Sequence, residues 1–329
     1  MKVETTALSI SHIAQMYCVR GKYFADLYRN KISGFNEWLS GEYLGFYINR
    51  ANMGPYLSID ETCLSNGEVW TFITNKDAKC GNGSLVAAIP GTKSENIIST
   101  LIAALDKNER RKVKEVTTDL SSSMMLIAQE VFTHAYLVND RFHVQQVYNE
   151  AIDDIRIDIR RELMTQDNRQ YAKARSEGTD YNPPTYSNGE TMRQILARSK
   201  HTLMISQNKW TEPQRHRVNI LFRHYPILKQ AYELAMEMRQ IFNQIITKTQ
   251  AGVLLSQWYL KVEQLANDNF RSVIKTFKNH SSTILNYFHR RATNASAEAF
   301  NSKVKIFRSQ LRGVRDQDFF IFRIAKLFG

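Results

Sequence analysis

Tyr56-Leu57-Ser58-Ile59-Asp60-Glu61-Thr62, followed by Ser65-Asn66-Gly67 and then Val69-Trp70-Thr71-Phe72-Ile73-Thr74, is the stretch on which the fold turns. Both flanking runs carry the residue types and period of strands. Between them Asn and Gly tolerate the positive φ angles of a tight hairpin, so the two runs are expected to pair antiparallel. A third strand, Leu85-Val86-Ala87-Ala88-Ile89, follows a glycine-bearing turn at Cys80 to Ser84 and completes a meander.

Downstream the pattern predicts a helix from about Ser94 to Asp106 and a strand through Val113-Lys114-Glu115-Val116-Thr117-Thr118 that closes at Asp119. A serine-capped helix through Met124, Met125 and Ile127 and a fifth strand, Ala135-Tyr136-Leu137-Val138-Asn139, come next. Three antiparallel strands and then helix, strand, helix, strand is the order of a ribonuclease H-like α/β fold, a mixed sheet with flanking helices. In that order the first and fourth strands are neighbours, which would set Asp60 beside Asp119. Glu61 should point to the other side of its strand, although a slipped register would exchange the two.

Residues 1–50 read as an N-terminal helical segment. Ile10, Ile13, Ala14 and Tyr17 share one face, and Tyr23, Phe24, Leu27 and Tyr28 follow Gly21, either as a helix-turn-helix or as a helical lead-in packed on the core. Residues 55–144 would form the first part of the core. After Asp140-Arg141-Phe142-His143 the chain turns helical, and residues 145–290 read as a large all-helical insertion. Within it Thr211-Glu212-Pro213-Gln214 is a capping-box start, and Leu228, Ala231, Tyr232, Ala235, Met238, Ile241 and Phe242 mark a packed helical face. Trp210 and Trp258 are expected in that core. Residues 291–329 would complete the α/β core with a glutamate-bearing helix and a basic C-terminal helix.

With 329 residues, 43% hydrophobic, the chain can bury a substantial core, and a formal charge of +12 favours a polyanionic partner. From Arg271 to Gly329 twelve Lys and Arg face only three acids, Glu298, Asp316 and Asp318, so most of the excess lies near the C-terminal end. Cys18, Cys63 and Cys80 lack C-x-x-C spacing, which argues against a structural zinc site and a disulfide framework. No apolar stretch approaches the roughly 18 to 20 residues that cross a bilayer, and a cytoplasmic protein with no membrane partner is expected. P-loop, dinucleotide-binding and G-x-S-x-G patterns are absent from the sequence.

The chemistry-bearing residues are Asp60, Asp119 and Glu298, placed where a metal-dependent nuclease core needs carboxylates. Ser296 or Asn294 can cap the helix of Glu298, whose apolar stripe is Phe300, Val304, Phe307 and Leu311. The other face would present Glu298, Asn301, Lys305, Arg308 and Arg312, with Lys303 nearby, as a metal ligand beside a phosphate track. Substitution at a phosphodiester needs an activated oxygen nucleophile and a stabilised leaving oxygen, which two divalent ions roughly 3.5 to 4 Å apart supply. Carboxylates suit magnesium, a hard, oxygen-seeking ion. With 32 acids in the chain, spacing alone leaves many chance triples, and local context carries more weight.

That context resembles the catalytic part of bacterial insertion-sequence transposases of the DDE class, in particular the ISL-three group and its ISAon-like branch. The resemblance rests on Ser58-Ile59-Asp60-Glu61-Thr62, Asp119-Leu120-Ser121 and Asn139-Asp140-Arg141-Phe142-His143-Val144. Its most specific block is Thr293-Asn294-Ala295-Ser296-Ala297-Glu298-Ala299-Phe300-Asn301-Ser302-Lys303-Val304-Lys305 with Arg312-Gly313. It implies Asp60, Asp119 and Glu298 as ligands of two Mg2+ ions, with Mn2+ able to substitute, and Asp140 with His143 as a signature near the site. It also implies DNA partners, both element ends and target, a homo-oligomer for end synapsis, and association with the nucleoid. Family members commonly carry an N-terminal zinc-binding segment that has no counterpart here, so a partner protein supplying such a region is expected. The alternatives are a ribonuclease H-like nuclease or resolvase that does not join strands, and a non-catalytic DNA-binding derivative.

Overall fold

The computed structural model describes residues 2–65, 67–311, 314 and 316–329; Asn66, at the hairpin apex, and Arg312, in the expected basic row, lie outside the described residues. The chain divides into two compact units, residues 1–140 with 291–329, and residues 141–290.

The first unit is built on a six-stranded sheet: β1 Tyr47–Ile48, β2 Tyr56–Ser65, β3 Glu68–Asn75, β4 Leu85–Pro90, β5 Glu115–Thr118 and β6 Tyr136–Asn139. The strand order is β1-β4-β3-β2-β5-β6. β2, β3 and β4 form the antiparallel meander, while β5 runs parallel to both β2 and β6, so the sheet is mixed as the element order requires. Gly67 takes φ +78°, the left-handed backbone that the β2–β3 turn demands. β1, only two residues long, was not expected from the sequence; it pairs Tyr47 with Ala88 at the sheet edge.

Register decides which side each residue of β2 serves. Ile59 pairs with Ile73 and Asp60 with Phe72, and residues directly opposite in a ladder share a face. Leu57, Ile59, Ile73 and Val116 therefore pack with the helices Ser94–Ala104 and Ser122–Val131, in a cluster containing Ile97, Leu101, Met124 and Ile127. The other face, with Trp70, Phe72 and Ala88, is covered by Phe300, Val304 and Phe307 of the helix Ala295–Gln310 and by Phe320, Ile321 and Phe328 of the helix Gln317–Phe328. Phe300 sits edge-on to Phe72 at 5.3 Å and to Phe328 at 5.0 Å. Asp60 thus lies on the side of the glutamate helix, and Glu61 on the opposite parity.

Two expectations change here. The helix from Ser94 ends at Ala104 because Asp106 instead opens a second helix, Lys107–Lys112, through a capping box with Glu109. The C-terminal helix is an aromatic core element and not a basic surface one: Phe320, Ile321, Phe322 and Ile324 are buried, and so is Arg323. Arg323 donates through Nη2 to the carbonyl oxygens of Val3 at 2.8 Å and of Thr6 and Leu8 at 3.4 Å, tying the N-terminal helices to the C-terminal one. In that N-terminal segment Ile10–Met16 and Gly21–Leu27 are joined by a turn in which Cys18 itself takes the left-handed conformation, φ +55°.

The second unit is helical, from the 36-residue helix Arg141–Ser176 to Ser281–Arg290. Leu228, Ala231, Tyr232, Ala235, Met238, Ile241 and Phe242 are all buried. Both tryptophans are core residues whose indole N–H groups find carbonyls, Trp210 at Thr202 O and Trp258 at Leu234 O, each 2.8 Å away. Thr211 and Gln214 form the expected capping box. No helix among the described residues is long and apolar enough to cross a membrane.

Candidate active site

Asp60 is half-buried in β2 and its two carboxylate oxygens have different partners. Oδ2 accepts from Asn301 Nδ2 at 2.8 Å and Oδ1 from the Glu61 backbone N–H at 2.9 Å. β2 and β5 pair in parallel through Tyr56–Glu115, Leu57–Val116 and Ser58–Thr117. The recorded ladder stops at Ser58–Thr117, and Asp119 lies one residue past the end of β5, on the same parity as Thr117. Asp119 starts the turn into the helix Ser122–Val131: its Oδ1 accepts from Ser121 N–H at 2.9 Å, and its carbonyl oxygen from Asn139 Nδ2 at 2.8 Å.

Asp140 leaves the end of β6, held there by its own N–H donating to Thr118 O at 2.8 Å. Its buried carboxylate accepts the backbone N–H of Asn294 at 2.8 Å, immediately before the glutamate helix. A carboxylate oxygen of Asp140 and one of Glu298 lie within 4.8 Å of each other. Glu298 occupies the first turn of Ala295–Gln310, where a negative charge is favoured by the helix dipole. Asn301 follows three residues later, on the same flank of the helix, and reaches Asp60. Asp60, midway along β2, and Asp140, just past β6, are thus linked to the glutamate-helix region, through Asn301 and Asn294 respectively.

The helix start differs from the expectation. Asn294 is the N-cap residue, yet neither its side chain nor that of Ser296 makes a capping hydrogen bond to the helix. The Asp140 carboxylate, just past β6, instead holds the backbone N–H of the N-cap residue itself. Ser296 is engaged elsewhere, its carbonyl oxygen accepting from the buried Cys80 Sγ at 2.9 Å. The Asn294 side chain is fully buried, and its Oδ1 and Nδ2 have no hydrogen-bond partner among the described residues.

The expected basic row dissolves on inspection of burial. Arg308 is buried, its guanidinium 3.0 Å from Glu68 Oε2 and 5.6 Å from the centroid of the Phe320 ring. Asn301 is buried against Asp60 and faces the carboxylates, not a solvent groove. Lys303 donates to Cys80 O at 2.7 Å, pinning the β3–β4 loop to the helix. Lys305 alone among the described members of that row is exposed without a described role in packing. Lys76, which the sequence did not single out, donates to Glu115 Oε1 at 2.9 Å and Thr117 Oγ1 at 2.8 Å.

Partial burial first, and the negative charge of Asp119 second, raise the Glu61 carboxyl above its ordinary range. His143 lies in the first turn of Arg141–Ser176, three residues after Asp140. The carboxylates of this region, Asp60, Asp119, Asp140 and Glu298, offer hard oxygens, although among the described residues Asp60, Asp119 and Glu298 do not all lie within 4.8 Å of one another. Two buried amide oxygens beside them, Oδ1 of Asn294 and of Asn301, lack partners among the described residues. Such a set fits a divalent cation of the magnesium type and not a thiolate-seeking one.

A family model described as a transposase, that of the ISL-three DDE group, matches residues 57–324. The transposase for insertion sequence element IS1001 of Bordetella parapertussis is 23% identical over 275 residues, covering 83% of this chain and 61% of that protein. The chain thus spans about three fifths of the length of that curated relative. The family match runs from β2 across the helical unit and the glutamate helix into the terminal helix, and on that ground the chain belongs to the ISL-three family of transposases.

Proposed function

We propose that the protein is a DDE transposase that cuts DNA at the ends of an insertion sequence and joins the freed ends to target DNA. The observation that carries this reading is that the glutamate helix reaches two of these acids: Asn301 of that helix holds Asp60, and Asp140 lies beside Glu298. Asp60, Asp119 and Glu298 are the residues that would hold two Mg2+ ions, or Mn2+ in their place. Bound there, the ions would activate an oxygen nucleophile and neutralise charge on the leaving oxygen.

The chain's own part is positioning. Asp60 and Glu298 are half-buried, so each keeps an exposed side toward incoming DNA while its other side is fixed by the fold. Asp140 accepts from the backbone N–H of Asn294 at the start of the glutamate helix, and His143 follows Asp140 by three residues in the sequence. In the reaction proposed, water attacks the phosphorus at the element boundary and the 3′-oxygen of the element end departs as a free 3′-hydroxyl, leaving the phosphate on the 5′ end of the flanking strand. That hydroxyl then displaces an oxygen of the target strand, so one phosphodiester forms as another breaks. Two ends must be held together, which favours a homo-oligomer, and a separate protein supplying an N-terminal region remains part of this proposal.

The test is incubation of purified protein with labelled element ends and target DNA in Mg2+ or Mn2+, with and without such a partner. Joined products that disappear in Asp119→Asn are expected. Cleavage without joining would favour the ribonuclease H-like nuclease reading, and DNA binding with neither activity would favour the non-catalytic derivative.

A further inference from the structure

We infer that Asn301 is a positioning residue for the carboxylate site, acting through Asp60, and is not a contact to DNA. The inference rests on the proposed reading of Asp60 as a cation ligand. Asn301 is 7% exposed, which leaves little of it for a phosphate or base. Its Nδ2 donates to Asp60 Oδ2 at 2.8 Å across a separation of 241 residues. A carboxylate on a strand can rotate about χ2 with little hindrance, and this bond removes that freedom.

The placement is specific. Asn301 stands three residues after Glu298, so one helical flank carries a carboxylate and, a turn later, the amide that orients a second carboxylate. Any axial shift of the helix moves both together, and the separation of Asp60 and Glu298 is thereby tied to one rigid element. The amide's other end adds a second observation: Asn301 Oδ1 is buried and has no hydrogen-bond partner among the described residues. Buried polar atoms are normally paired. An unpaired acceptor lying beside a carboxylate suits a site visited by a cation and the hydrogen donors that come with it. The outer partners of metal-binding side chains typically govern affinity by about 10- to 100-fold.

The experiment measures Mn2+ binding to the full chain by calorimetry, for the unmodified protein, Asp60→Asn, Asn301→Ala and Asn301→Leu. Asn301→Leu keeps the buried volume, so that thermal melting separates a folding defect from a binding one. DNA affinity is measured in EDTA for each. Asn301→Ala and Asn301→Leu are expected to weaken Mn2+ binding by about tenfold or more, while metal-free DNA affinity stays within about twofold. If Asn301→Leu bound Mn2+ within about twofold of the unmodified chain while Asp60→Asn lost it, this inference would fail and the site reading would stand. If Asn301→Leu lost DNA affinity about tenfold without metal, direct contact would replace positioning. If Asp60→Asn bound Mn2+ as tightly as the unmodified chain, the carboxylate site itself would be wrong.

Discussion

Replacing Arg308 with alanine should cost about 3 to 5 kcal/mol of stability and leave DNA affinity largely unchanged. The magnitude follows from burial. The side chains of Arg308 and Glu68 are 10% and 14% exposed and meet at 3.0 Å. Removing the guanidinium strands the Glu68 carboxylate beneath the helix with one described hydrogen bond, from Trp70 Nε1 at 3.1 Å. Breaking one partner of a buried pair is costly because the remaining charge is uncompensated, whereas removing both partners is far milder. The contact of the Arg308 guanidinium with the Phe320 ring, about 0.5 to 2 kcal/mol, is lost as well and pushes the cost toward the upper end of that range. Urea denaturation near pH 7 reads the loss, with Arg308→Met/Glu68→Gln as the paired control that should recover most of it. Filter binding over a salt series reads DNA affinity. A stability change under about 1 kcal/mol, together with a salt slope reduced by about one, would mean that Arg308 neutralises a phosphate, and the reasoning from burial would be refuted.

Lys305 provides the contrast: it is exposed, so Lys305→Ala should lower the salt slope by up to about one and change stability by less than about 0.5 kcal/mol, the reverse of Arg308. In the helical unit the hydrogen bond from Arg217, joined by Arg198 and opposed by burial, holds the Glu190 carboxyl at about 2, down from 4.5. A depressed native value means that the unfolded chain binds the proton more readily. The stabilisation is therefore complete above about pH 4.5 and lost as pH falls toward 2. A shift of that size corresponds to at most about 3 kcal/mol, and urea midpoints at pH 6, 4 and 2.5 should fall more steeply for the unmodified chain than for Glu190→Gln. Parallel pH profiles would contradict it. Trp258→Ala should cost about 3 to 5 kcal/mol, since the fully buried indole is stacked at 5.8 Å on Phe277 and bonded to Leu234; loss of DNA affinity without destabilisation would instead favour base stacking.

The sheet was legible because its signals are local. Alternating strands around an Asn-Gly turn and strand lengths between helices fix β2 to β6, and the parallel β2–β5 neighbourhood follows from their order. β1 was not legible: two residues at a sheet edge carry no period, and only β4 makes them a strand. The Glu298 helix shows the other limit. Its apolar stripe was readable, but one stripe predicts one covered face, and this helix is covered on two, by the sheet and by Gln317–Phe328. Arg308 falls under the second cover, so a row that looks basic in sequence is partly core. The bond from the Asn294 N–H to Asp140 could not be read either, because it joins residues 154 apart. A signal for Asn301 was present in its i, i+3 spacing from Glu298; what the sequence lacked was the knowledge that Asp60 lies beneath it.

The most direct measurement of the central proposal is a crystal structure of the protein with Mn2+ and an element end, with the metal located by its anomalous scattering. The account predicts two manganese peaks about 3.5 to 4 Å apart, held among Asp60, Asp119 and Glu298. Manganese bound elsewhere, with those three carboxylates too far apart to share it even with DNA in place, would contradict it.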